Sequence, residues 1–144
     1  EREGLCYYIH SHIEAYSDCV YLAIKAGVDN IRALRAVELI IRELRAIRDN
    51  GISPRELNKA KEYMRGKLAL SLETTSDVAF WIGGQEMTVK KIKTPEEIMK
   101  KLDAVTGADV SRIAHEIIVE NGLNFAVITP HKNADGFQKA LHGL

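Results

Sequence analysis

The stretch Gly4–Gly27, GLCYYIHSHIEAYSDCVYLAIKAG, decides the fold, because it is the one long run that is dense in β-branched and aromatic residues. It contains no proline, and segments with helical signals follow it. We predict two antiparallel strands joined by a turn near Ala15–Asp18, where Ser17 and Asp18 can hydrogen-bond their own backbone. Alternation gives this hairpin one apolar and one polar face. Because a lone hairpin is only marginally stable, we expect the helices that follow to cover the apolar face.

Composition limits the classes of protein to which the chain can belong. Its 144 residues, 46% of them hydrophobic, indicate a single globular domain spanning residues 1–144. Twenty basic residues balance twenty acidic ones, so we expect neither a nucleic-acid partner nor an anionic membrane surface. No apolar run approaches the roughly 20 residues of a membrane span, and no signal peptide is present, which predicts a cytoplasmic protein. The start at Glu1 suggests a piece of a longer chain whose N-terminal part is missing.

Residues 29–119 carry the signals of four or five helices. Asp29 or Asn30 can cap a first helix that runs to about Asp49, with apolar residues recurring every three or four positions. Ser53-Pro54-Arg55-Glu56 is a capping box with proline at the first helical position, which predicts the start of a second helix. A run of poor helix formers predicts a kink near Thr75. Later helix starts are predicted after Thr94 and Thr106.

A short apolar run, residues 123–129 (LNFAVIT), lies between a glycine and a proline. We predict a closing strand here that is buried on both sides and pairs into the same sheet. The order is then the hairpin of residues 1–27, the helices of 29–119 and this strand. That order predicts an α+β fold, in which helices pack on one face of a mostly antiparallel sheet that is incomplete at its N-terminal side.

Metal-binding chemistry has one candidate constellation in the sequence. His10 and His12 lie two positions apart on a predicted strand, and Glu14 follows. Such a pair can offer two imidazoles to zinc, but the alternative is a polar strand face that contacts solvent. The specific helical signatures H-E-x-x-H and H-x-x-E-H are both absent, since His115-Glu116 is followed by Val119 where a second histidine would be required. The sequence therefore predicts no metal ligands in this chain.

The opening residues, Glu1-Arg2-Glu3-Gly4-Leu5-Cys6-Tyr7, resemble the stretch R-E-x-x-G-L-x-Y of the pitrilysin/insulinase family of zinc metallopeptidases, which includes the mitochondrial processing peptidases. The first arginine of that pattern would precede Glu1. The resemblance extends over nearly the whole chain, in the segments Glu14–Asp18, Ser53–Leu57, Gly66–Thr75, Asp103–Val110 and Ala126–Pro130.

This resemblance implies a processing-peptidase-like fold and a two-domain protein of bacterial type. In that family each domain is a helix-covered sheet, and the pair closes around a peptide. The zinc and its H-x-x-E-H helix belong to the N-terminal domain, so the chain is similar to most of the C-terminal, metal-free domain. The partners implied are a peptide substrate, the zinc-bearing N-terminal domain and a second subunit in a dimer. Alone, this chain would have neither cofactor nor activity.

The resemblance also implies a catalytic role for Tyr7, whose phenol would bond the substrate carbonyl and stabilise the oxyanion. Gly4 and Leu5 would contact the substrate beside it. Alternation along the strand, however, places Tyr7 on the core face with Ile9 and Ile13. The catalytic role thus requires Tyr7 to lie just before the regular strand, and the alternative is a core tyrosine at a strand end.

Two functions from different classes remain open. The first is a non-catalytic C-terminal domain of a zinc metalloendopeptidase, which encloses the peptide and contributes Tyr7 to the transition state. The second is a catalytically inactive family relative that acts as a scaffold or partner subunit. The sequence preceding Glu1 distinguishes them, because an H-x-x-E-H helix in the same chain favours the enzyme. A third possibility is an independent metal site on His10 and His12.

Overall fold

The computed structural model describes residues 4–130, 135–142 and 144. It confirms the α+β fold, with a two-stranded antiparallel sheet and six α-helices among the described residues. Its elements are β1 (Cys6–Ala15), β2 (Val20–Val28), a 3₁₀ turn (Asn30–Arg32), α1 (Ala33–Asn50), α2 (Pro54–Leu70), α3 (Thr75–Val89), α4 (Pro95–Ala104), α5 (Gly107–Ile117), a second 3₁₀ turn (Glu120–Gly122) and α6 (Asp135–Leu141). The chain forms two compact units, residues 1–50 with 113–144 and residues 51–112.

The predicted hairpin is confirmed in the first unit. β1 and β2 pair with Ile13 opposite Leu22, and the Tyr16 N–H donates to the Cys19 carbonyl (2.8 Å) to close the turn. The apolar face of the hairpin and helix α1 line a groove of about 890 Å³. The helix thus faces the apolar side of the sheet, as predicted from its need for cover.

The core of the described residues lies in the first unit. Helix α1 packs against α6, and the Phe125 and Phe137 rings stack with centroids 5.6 Å apart. The buried hydrophobic residues are small or medium-sized apart from one phenylalanine: Ala33, Ala36, Ile41, Ala114, Ile118 and Phe137. Large apolar side chains of the hairpin, in contrast, are partly or fully exposed.

Local capping chemistry starts the helices of the second unit. Ser53 and Glu56 form the predicted capping box of α2, and the boxes at Thr74 and Thr94 start α3 and α4. The bend expected near Thr75 is a full break, since residues 71–74 leave the helix before Thr74 caps the next one. Lys61 and Arg65 of α2 both bond Asp103 at the end of α4, the lysine at 2.8 Å from its carbonyl oxygen.

The predicted closing strand at residues 123–129 is wrong. The structure assigns no strand there, and Ile128 is fully exposed instead of buried. The run has the composition of a buried strand, but a strand also requires a ladder partner, and the one sheet among the described residues contains only β1 and β2. The aromatic side chain of Phe80, in helix α3, is also exposed rather than part of a core.

The structure describes the two ends of the chain in part. Residues 1–3, with which the family-like opening stretch begins, lie outside the described residues, as do residues 131–134 of the tail. The described part of the tail forms the short helix α6 around Phe137. In the part of the chain that the structure describes, no helix combines the length and apolar character that a membrane span requires.

Candidate functional site

A β-bulge lies at the start of β1, at the residue that the sequence singled out. Cys6 is opposite Val28 and Tyr8 is opposite Gly27, which leaves Tyr7 as the extra residue between two consecutive partners. Tyr7 is 82% exposed. Tyr7 therefore does not belong to the core of the described residues.

The bulge also corrects the predicted faces of the hairpin. Cys6 and Ile9 both line the groove beside α1, although residues three apart in a regular strand point to opposite faces. The extra residue absorbs this mismatch, so Tyr7 and Tyr8 share the face that points away from the groove. Sequence alternation had placed Tyr7 with Ile9 because alternation assumes an unbroken ladder.

The residues that lead into the bulge have a defined conformation. Gly4 adopts φ +57°, a left-handed conformation that favours glycine. The Arg32 guanidinium donates from Nη1 to the Gly4 carbonyl oxygen at 2.8 Å. Leu5 is half-buried and lines the groove, so it lies on the other side of the hairpin from Tyr7. Of the three predicted site residues, Gly4 and Tyr7 are exposed and Leu5 faces the apolar groove.

Aromatic and charged side chains follow Tyr7 along the same face. The Tyr8 ring stacks on His10 with centroids 5.7 Å apart. Further along, His12 Nε2 lies 2.9 Å from Glu14 Oε1, and Lys25 Nζ lies 3.6 Å from the same oxygen. The carboxylate of Glu14 thus already has two cationic or hydrogen-bonding partners from its own sheet.

These histidines do not fit a metal centre. His10 is engaged with a tyrosine ring while His12 bonds Glu14, so the two imidazoles have different partners. Among the described residues, no group of three or more histidine, cysteine, aspartate or glutamate side chains is placed to hold an ion. A catalytic zinc needs three protein ligands and an open position.

The turn end of the hairpin carries a second aromatic pair. Tyr16 and Tyr21 stack with ring centroids 6.1 Å apart. The side-chain hydrogen bond between Tyr21 and Tyr16, with a smaller contribution from desolvation, raises the pKa of Tyr21 above its ordinary value. The Tyr21 phenol therefore stays protonated and neutral at physiological pH.

The chemistry that this face offers is neutral hydrogen-bond donation from exposed phenols. A phenol can donate to a carbonyl oxygen without a counter-ion. The sequence pointed to Tyr7 but did not indicate two residues that shape its surroundings, Arg32 and Gly27. Arg32 is one of many arginines around α1, and only the folded chain shows that it reaches Gly4.

Comparisons with known proteins support the family resemblance of the sequence. Residues 1–64 match the family described as Peptidase M16 inactive domain. The uncharacterized zinc protease YmxG of Bacillus subtilis is 33% identical over 133 residues, which are 92% of this chain and 32% of that protein. The beta subunit of the mitochondrial-processing peptidase of Saccharomyces cerevisiae is 30% identical over 91 residues, 63% of this chain and 19% of the subunit.

A solved structure supports the fold. The crystal structure of a protease from Helicobacter pylori superposes with a TM-score of 0.66 at 24% identity, and the match covers 80% of this chain and 28% of that one. The chain spans about a third or less of the length of the curated relatives it matches. From the match over residues 1–64 and the similarity of 92% of its length to a zinc protease, the chain belongs to the pitrilysin-type M16 peptidase family and corresponds to the family's inactive, C-terminal domain.

Proposed function

We propose that this chain is the non-catalytic C-terminal part of a zinc metalloendopeptidase, where it helps to enclose a peptide substrate and supplies Tyr7 as a hydrogen-bond donor to the transition state. One observation carries the proposal: a bulge leaves Tyr7 82% exposed on the face opposite the groove. Bulges occur next to active sites, where they redirect a side chain. The names of the relatives supply the reaction class.

The role of Tyr7 follows from the chemistry of peptide hydrolysis. When water attacks the scissile carbonyl, its oxygen gains negative charge and becomes a stronger hydrogen-bond acceptor. A fixed donor near that oxygen then stabilises the transition state more than the substrate, which increases the turnover rate. The Tyr7 phenol meets this need as a neutral donor, while Gly4 beside it presents backbone to the same peptide.

The metal that such a peptidase requires would be held elsewhere in the full protein. His10 and His12 lack the third ligand that a zinc site needs, since no group of three histidine, cysteine, aspartate or glutamate side chains in the described part of the chain is placed to hold an ion. We therefore assign zinc to a zinc-bearing domain or subunit that pairs with this chain. Replacing both histidines by alanine in the full protein should leave its zinc content unchanged, as measured by elemental analysis.

The central test is Tyr7→Phe in the full-length protein, assayed with a panel of unfolded peptides. We expect kcat to fall by about ten-fold to a thousand-fold, the usual range for one lost oxyanion donor, with little change in the melting temperature. Tyr63→Phe is the matched control, because this phenol of α2 is 68% exposed and lies in the second unit. Equal turnover of the Tyr7 and Tyr63 variants would remove the catalytic role.

A scaffold function is the competing proposal. It draws on the description of the matched family as an inactive domain and on the similarity to one subunit of a processing peptidase. It predicts a full-length protein without an H-x-x-E-H helix, without stoichiometric zinc and without peptidase activity. A full-length protein that contains zinc and cleaves peptides would exclude this alternative.

A further inference from the structure

We infer that Arg32 is a positioning residue for Tyr7, acting through its hydrogen bond to the Gly4 carbonyl. The inference deepens the proposed function and rests on it. It is carried by three observations around the bulge: the bond itself, the turn that fixes Arg32, and the short path from Gly4 to Tyr7.

The first step is the fixed position of Arg32 itself. It closes the 3₁₀ turn that follows β2, where its N–H donates to the Asp29 carbonyl at 2.9 Å. The Asp29 side chain caps the same turn by accepting from the Ile31 N–H at 3.0 Å. Arg32 is thereby tied to Asp29, which lies one residue beyond the last paired position of β2, Val28.

The second step is the link from this turn to the segment before β1. Arg32 Nη1 lies 2.8 Å from the Gly4 oxygen, a charge-assisted bond between residues 28 positions apart. Beyond Gly4, the next cross-strand link of this segment is the pairing of Cys6 with Val28. Arg32 therefore anchors the entry of β1 two residues before the ladder begins.

The third step is the mechanical weakness of the bulge. An unpaired extra residue disrupts the ladder locally, so the backbone at Tyr7 has fewer hydrogen bonds to hold it than a regular strand residue. The left-handed Gly4 adds conformational freedom on the N-terminal side. A clamp before the bulge reduces the range of directions in which the exposed Tyr7 phenol can point.

Position matters for a transition-state donor. A misplacement of about 1 Å can cost up to 100-fold in rate. An anchor that acts only through the orientation of Tyr7 should change kcat and leave KM nearly constant, because substrate is bound by many other groups. Its effect should also disappear when the Tyr7 hydroxyl is absent.

A double-mutant cycle in the full-length protein tests this inference. We expect Arg32→Met to lower kcat about five-fold or more, Arg32→Lys to restore part of the loss, and the exposed Arg45→Met of α1 to have no effect. In the Tyr7→Phe background, Arg32→Met should change kcat by less than about two-fold. An equal loss in both backgrounds would show a general structural role and overturn the inference.

Amide hydrogen exchange separates this inference from the proposed function. Arg32→Met should accelerate exchange at Leu5, Cys6 and Tyr8 relative to Arg45→Met, whether or not Tyr7 is catalytic. If Arg32→Met accelerates exchange but Tyr7→Phe leaves kcat unchanged, the anchoring is retained and the catalytic role of Tyr7 is rejected. Unchanged exchange would overturn the anchoring itself. Unchanged kcat in Arg32→Met, in a protein whose kcat is lowered by Tyr7→Phe, would overturn the positioning of Tyr7 by Arg32.

Discussion

Tyr8 and Gly27 face each other across the hairpin at the end of the bulge. A Cβ built on Gly27 would lie 2.3 Å from Cε1 of the Tyr8 ring, closer than any non-bonded contact allows. The ring therefore lies directly over the glycine, where it also stacks on His10. An aromatic ring placed over a strand glycine supplies the packing that the missing side chain does not.

Gly27→Ala should move the Tyr8 ring rather than unfold the chain. The obstructing atoms belong to a half-exposed side chain that can rotate, so we expect a loss of stability below about 1 kcal/mol. Rotation of the ring breaks its stack with His10, which should shift the His10 ring proton resonances in NMR spectra. Gly66→Ala, at a helical glycine with no atom within 4 Å of its added Cβ, is the control and should raise stability by up to about 1 kcal/mol. An unchanged His10 spectrum in Gly27→Ala would contradict this account.

Single residues also show where sequence reasoning stops. The role of Tyr7 came from a resemblance, and its predicted core-facing direction came from strict alternation. The direction was wrong because a bulge depends on how two strands pair, and pairing is not a property of either strand alone. The Arg32 contact escaped prediction for the same reason, since it joins residues that are distant in sequence.

Helix starts, in contrast, could be predicted because their chemistry is local. The hydroxyl of Ser53 accepts from the Glu56 N–H at 3.2 Å, and the Ser53 N–H donates to the Glu56 carboxylate at 2.9 Å. Four consecutive residues contain everything that this motif needs, so the sequence alone identifies it. Residues 123–129 failed as a strand because composition indicates burial but does not provide a partner.

Ser53→Ala tests the contribution of the first capping box. It should lower the free energy of unfolding of the second unit by about 0.5–2 kcal/mol at neutral pH, because an orphan N–H of α2 loses its acceptor. Ser76→Ala is the matched control and should change stability little, because this exposed serine lies between Thr74 and Asp77 but is not a member of their capping box. Urea unfolding followed by circular dichroism gives the midpoint of each variant. Equal midpoints for Ser53→Ala and Ser76→Ala would show that the Ser53 cap does not contribute to stability.

The same capping box makes a prediction about pH. Hydrogen bonds from the Ser53 side chain and backbone lower the pKa of Glu56 below its ordinary value. The stability from this carboxylate is present above the ordinary glutamate pKa of about 4.3 and is lost as pH falls through the lower, folded value. The difference in midpoint between wild type and Ser53→Ala should therefore be larger at pH 7 than in acid. A difference in midpoint that is larger in acid than at pH 7 would contradict this prediction.

For the whole molecule, the distribution of buried residues is uneven. The buried hydrophobic side chains, among those described, all belong to the unit formed by residues 1–50 and 113–144. Large apolar residues of the hairpin and of residues 123–129 remain exposed beside them. The composition of a sequence predicts how much apolar surface could be buried. How much of that surface is buried depends on which elements pack against it.

Two isoleucines near the end of the first unit test this distribution directly. Ile118 is 7% exposed, whereas Ile128 is fully exposed, although both occur in apolar runs of similar composition. Ile118→Ala should cost about 2–4 kcal/mol by leaving a cavity, and Ile128→Ala should change the free energy of unfolding by less than about 0.5 kcal/mol. Urea unfolding of the two variants of this chain, compared with wild type, measures both values. A cost at Ile128 as large as that at Ile118 would mean that residues 123–129 are packed as the sequence predicted, and would contradict the exposure of Ile128.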